Sequence, residues 1–143
     1  MSDREERCAD RIGAEFKSTM ETVRNLAEWQ FEGNEGSHPD EGSTLMEYGL
    51  GADYVAPNTF DDQPEGFFRW QLSWGGPSDE FRFYVGDQGR FGPCIDGVEY
   101  RFHDWFDGAG VHLEGEDLAL LKDVFGMLFA DPSQMMEAAE DEL

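Results

Sequence analysis

Lysine is scarce in this chain of 143 residues: Lys17 and Lys122 stand beside eight arginines, against 32 aspartates and glutamates. So few bases disfavour direct nucleic-acid binding, which needs several cationic side chains against phosphates. Cysteine is equally rare. Cys8 and Cys94 match no metal spacing such as Cys-x-x-Cys and read as cytosolic thiols, with a single disulfide left open. No stretch approaches the roughly eighteen apolar residues of a membrane span. The start, MSDREERCAD, is charged where an export signal needs an apolar run. These absences predict a soluble, cytoplasmic protein that binds neither nucleic acid nor membrane.

Catalytic motifs are missing too. His103, Asp104, Asp107, His112, Glu114 and Glu116 bring imidazole and carboxylate close together in sequence, but without the alternating acids of an EF-hand. Neither His-Glu-x-x-His nor a Cys-His zinc spacing occurs. Cys94 has no basic neighbour or helix N-terminus to lower its thiol pKa. In WGGPSDE the glycines follow a strand, yet no helix follows them and the phosphate-binding lysine is lacking. No cofactor and no enzymatic activity are expected. The alternative is a small metal- or ligand-dependent enzyme built on His103, Asp104, Asp107 and His112.

What the chain has in abundance is negative charge, a net of −22 at neutral pH. Such a field keeps a protein soluble, repels polyanions and attracts cationic partners. The charge is uneven. Residues 31–66 hold nine acids and no base, and residues 113–143 hold nine acids and one base. A halophilic housekeeping domain would also be rich in acid and poor in lysine, but it would spread acid over every face. Two blocks point to a directed surface: Asp53, Asp61, Asp62 and Glu65 in one, Glu114, Glu116, Asp117 and Asp123 in the other. Trp105 or Phe106 would anchor a contact there, with Asp107 beside them, since interface energy concentrates in few large side chains.

Twelve phenylalanines, four tryptophans and four tyrosines are too many for a disordered acidic chain, so one folded domain is expected over residues 1–143. Residues 3–30 read as an amphipathic helix, with Ser2 as its cap and Cys8, Ile12, Phe16, Met20, Val23 and Ala27 on one face. Arg4, Arg7, Arg11, Lys17 and Arg24 sit among acids on the other, self-neutralising face. The glycine-rich EGNEGSHPDEGS reads as a mobile loop carrying a solvated His38. A short helix over TLMEYGL and a short extended segment over ADYVAPNTF follow. Then the period becomes two, in FFRWQLSW, EFRFYV and VEYRFHDW, predicting an antiparallel meander with one aromatic face. Arg69, Arg82 and Arg101 fall on the opposite face, beside Glu80 and Glu99, as candidates for cross-strand ion pairs. DGAG reads as a turn. Residues 114–130 read as a helix with a stripe of Leu118, Leu121, Val124, Phe125, Leu128 and Phe129, and residues 131–143 as an acidic, helix-prone tail. The expected fold is therefore α+β: a three- to four-stranded antiparallel meander over 67–106 packed against an N-terminal and a C-terminal helix, with 31–66 an acidic loop holding short elements.

Over residues 45–129, GADYV, LSWGGPSDEFRFYV and VEYRFHDWFDGAG before an EDLALL helix resemble small acidic accessory proteins of phages and mobile elements, of the anti-CRISPR or antirestriction type. That resemblance implies a non-enzymatic inhibitor acting in the bacterial cytoplasm. It would occupy a basic, nucleic-acid-binding surface of a CRISPR effector or restriction complex, in some cases as a DNA mimic. It carries no residue role with it, and the arginine-bearing sheet face departs from an all-over imitation of phosphate.

Overall fold

The computed structural model describes residues 8–60, 62–73, 77–89, 92–104, 107–129 and 131–141. Its elements, in chain order, are α1 (Cys8–Phe31), α2 (Leu45–Tyr48), β1 (Gly51–Val55), β2 (Phe67–Ser73), β3 (Pro77–Gly89), β4 (Gly92–Asp104), β5 (Asp107–His112), α3 (Gly115–Leu128) and α4 (Pro132–Asp141). The strands form a five-stranded antiparallel meander in sequence order. The class is α+β as expected, with five strands where three to four were anticipated. No helix among the described residues is long and apolar enough to cross a membrane.

Alternation decides what each face of the sheet does. Trp70 lies opposite Phe81, Phe68 opposite Phe83, and Phe81 opposite Tyr100, so aromatics from β2, β3 and β4 line one inner face. That face is covered by α1 against β4 and β5, α3 against β4, and α4 against β1 and β4. From α1 come Ile12, Met20, Val23, Leu26 and Ala27, and from α3 come Leu120, Leu121, Val124 and Phe125. Leu26, which the predicted stripe omits, is fully buried. The tail is helical, with Met135 and Met136 packed on the core.

Two expectations are corrected. DGAG is a strand: Gly108 pairs with His103 and Gly110 with Arg101, while the chain reverses between Asp104 and Asp107. Alternating glycines explain this, because a Cβ on Gly110 would sit 2.2 Å from Glu99 Oε2 and one on Gly108 would sit 2.7 Å from His103 Nδ1. β5 is thus bare at Gly108 and Gly110, where long side chains of β4 lie across it. The basic face of α1 does not neutralise itself along the helix. Arg11 pairs with Asp104 on β4 and Arg24 pairs with Asp117 on α3. The loop after α1 is internally bonded, since His38 Nδ1 accepts from the backbone N–H groups of Asp40 and Glu41 and its ring packs on Trp29. Ser2, Arg4 and Arg7 lie outside the described residues, as does the Cys8 side chain; Cys94 is an exposed free thiol.

Candidate functional site

The outer face of the sheet carries a polar network that ordinary surface ion pairs do not explain. Glu80 and Glu99 point away from the aromatic core, yet are only 5% and 7% exposed. Carboxylates are rarely buried so far without partners that offset desolvation. Arg82 Nε donates to Glu80 at 2.6 Å. Tyr84 Oη donates to Glu99 Oε1 at 2.7 Å, and Arg101 Nη1 donates to its Oε2 at 3.3 Å. Arg69 makes the one cross-strand fork, donating through Nε and Nη2 to both oxygens of Asp53. The arginine–glutamate pairs lie within one strand, two residues apart, rather than across strands as expected. Burial, and then the adjoining Glu99, push the Tyr84 phenol up to about 12, so it stays a hydrogen-bond donor throughout the physiological range.

Residues 56–60 and 62–66 lead into β2 along part of this face. Phe67 breaks the alternation. Phe67 and Phe68 are both fully buried, Phe68 in the core and Phe67 on the outer side with Val55, its register partner. The Arg82 guanidinium stacks 4.4 Å above the Phe67 ring. The segment is tied by one side chain. Gln63 Oε1 accepts from the N–H groups of Thr59 and Phe60, and its Nε2 donates to the carbonyls of Ala56 and Glu65. Asn58 and Asp62 take the left-handed conformation that closes such turns.

Between this segment and the sheet lies a cleft of about 670 Å³. Phe60, Asp62, Pro64 and Glu65 form one wall, Phe67, Arg82, Tyr84, Glu99 and Arg101 the floor, and Asp96, Gly97 and His112 the far side. A Cβ placed on Gly97 meets nothing within 4 Å, so the space above that strand position is open. Asp62, Glu65 and Asp96 are exposed, and none has a basic partner among the described residues. Size, concavity and convergent polar groups are those of a binding site.

The structure divides the residues singled out in sequence. Asp62 and Glu65 reach the rim of the cleft, Asp53 is held by Arg69, and Asp61 lies outside the described residues. In the second block Glu114, at the N-cap of α3, and Glu116 and Asp123 on that helix are exposed, while Asp117 is engaged by Arg24. The two blocks do not form one surface: α3 covers the inner face, whereas Asp62 and Glu65 line the cleft on the outer one. Trp105 and Phe106 lie outside the described residues, as does the Asp107 side chain. The grouping of His103, Asp104, Asp107 and His112 as a metal or catalytic cluster is corrected too. Asp104 is bound to Arg11 on the helix side. On the outer face His103 stands opposite Gly108 and His112 opposite Glu99, four residues apart along β4. That is roughly 13 Å, beyond any shared ligand. No metal-holding group of three or more such side chains exists among the described residues. The cleft itself escaped the sequence reading. Its signal is the doubled Phe67–Phe68, which puts one phenylalanine on the outer face. In comparisons with known proteins, no family model, no curated protein and no solved structure matches the chain.

Proposed function

We propose that this protein is a non-enzymatic inhibitor that binds the basic, nucleic-acid-contacting surface of a defence complex. The class of partner is the one its resemblance to phage accessory proteins suggests, a CRISPR effector or restriction complex. One observation carries the reading. Each of the five arginines with a described side chain is engaged by a carboxylate of the fold, so the remaining surface charge is overwhelmingly acidic. Among the described residues, a partner meets carboxylates whose neighbouring guanidiniums are already paired within the fold. The field steers cationic partners toward the protein and repels nucleic acid.

Because the acidic surfaces lie on opposite sides of the sheet, their roles differ. The outer-face group of Asp62, Glu65 and Asp96 surrounds a concave surface and makes the contact. The α3 group of Glu114, Glu116 and Asp123 contributes long-range attraction. Charges at a contact act chiefly on dissociation, and remote ones on association rate and its salt dependence. The test is binding kinetics against purified CRISPR and restriction complexes and against host lysate. Reversing Asp62, Glu65 and Asp96 to lysine should weaken affinity by about tenfold or more through faster dissociation. Reversing Glu114, Glu116 and Asp123 should mainly slow association at low salt. Binding unchanged by either triple reversal would remove the electrostatic basis.

A further inference from the structure

We propose that the outer-face cleft is a receptor for a single arginine side chain of the partner, so that recognition rests on a shaped pocket and not on charge alone. This rests on the reading of the protein as a binder of basic surfaces.

The charge of the cleft favours a cation. Asp62, Glu65, Asp96 and Glu99 border it against Arg82 and Arg101, and Arg82 is already neutralised by Glu80 beneath it. Glu99 is committed to Tyr84 and Arg101, but the three rim carboxylates have no basic partner among the described residues. An incoming guanidinium would find up to three acceptors arranged around an opening.

Its other surfaces favour arginine over lysine or a small inorganic cation. Phe60 is 46% exposed at the wall, and Tyr84 lies on the floor. A guanidinium is planar, stacks on aromatic faces and presents a fork of donors to carboxylates, whereas an ammonium is a compact, strongly hydrated point charge. The protein already stacks its own Arg82 on Phe67 in this way. The apolar stem of an arginine would lie along Phe60 and Pro64, with its head among the carboxylates. Gly97 opens the far side, because a side chain at that position would project into the space.

The experiment uses the whole protein and small probes. Amide spectra would be recorded during titration with N-acetylarginine amide, N-acetyllysine amide, spermidine and acetate at constant ionic strength. The expected result is saturable perturbation confined to Phe60–Glu65, Tyr84 and Asp96–Glu99, at least about threefold tighter for the arginine probe than for the lysine probe. Gly97→Phe should abolish it by filling the cleft, and Glu65→Lys should weaken it; unchanged melting temperatures would show both variants folded. Stronger perturbation by acetate, equal affinity for spermidine, or an effect spread over the acidic surface and retained in Gly97→Phe would each overturn the proposal. Partner binding separates the two readings. Loss of cleft binding with partner affinity intact in Gly97→Phe sinks the pocket alone, whereas a cleft that takes arginine in a protein that captures no basic partner sinks the function alone.

Discussion

The two faces of one sheet follow the same alternation and reach opposite solutions. On the inner face Phe68, Trp70, Phe81, Phe83 and Tyr100 are buried against three helices, and their hydrophobic area holds the domain together. On the outer face Arg82, Tyr84, Glu99 and Arg101 are partly or wholly buried without a helix above them, joined by charge-assisted hydrogen bonds. Such networks contribute little net stability, because desolvation offsets most of the attraction, but they fix side chains in place. The inner face makes the fold and the outer face makes a shape.

Truncation on the inner face should give the largest effect. Phe68 packs edge-on against Phe125 and Phe129 and tilts against Tyr54, so Phe68→Ala leaves a cavity at the junction of sheet and helices. The expected cost is about 3–5 kcal/mol, read as a lower denaturation midpoint with an unchanged slope. A cost under about 1 kcal/mol would mean the aromatic layer is not the organising core.

An intermediate effect should come from adding one methyl group outside the core. Gly110→Ala places a Cβ against Glu99 Oε2 and 3.1 Å from Arg101 Cδ. Glu99 must then move and loosen its bonds to Tyr84 and Arg101, at a cost of about 1–2 kcal/mol by chemical denaturation. The variant should also allow Tyr84 to ionise at lower pH, visible as phenolate absorbance, since its raised pKa depends partly on Glu99. A fully neutral substitution would show the bare strand to be incidental.

These contrasts explain what was legible in the sequence. The inner face was, because Trp70, Phe81 and Tyr100 alternate with polar residues over three runs. α1 was legible for the same reason at helical period. β5 was not, because glycine at 108 and 110 resembles a turn until Glu99, Arg101 and His103 are seen lying over it. β1, Gly51–Val55, looked like a short extended segment because its exposed Gly51, Ala52 and Asp53 give no apolar alternation; pairing with β2 makes it a strand. The cleft was invisible because it depends on where residues 56–60 and 62–66 run along the outer face, and Gln63, which ties them, has no distinguishing sequence context. Acid content identified Asp62 and Glu65 as surface charges, but only tertiary structure separates them from the α3 group.

The smallest effect is a titration that belongs to the outer face alone. His103 stands over Gly108, and burial, followed by the charge of Arg101, holds its imidazole below the usual 6.5. Arg82 acts in the same direction, while Glu80 and Glu99 oppose it. Folding therefore favours neutral His103. Its contribution is fully present above pH 6.5 and is lost as pH falls below that value, where the unfolded chain takes up the proton first. A bare melting curve against pH sums the responses of every titrating group and would hide the histidine. Comparison with His103→Gln isolates it. Between about pH 7.5 and 5.5 the melting temperature of the parent should fall relative to the variant by about 1–3 °C. Parallel curves would show that His103 is as solvated as a histidine on an open sheet, and the outer face would lose its claim to be an enclosed polar environment at that end.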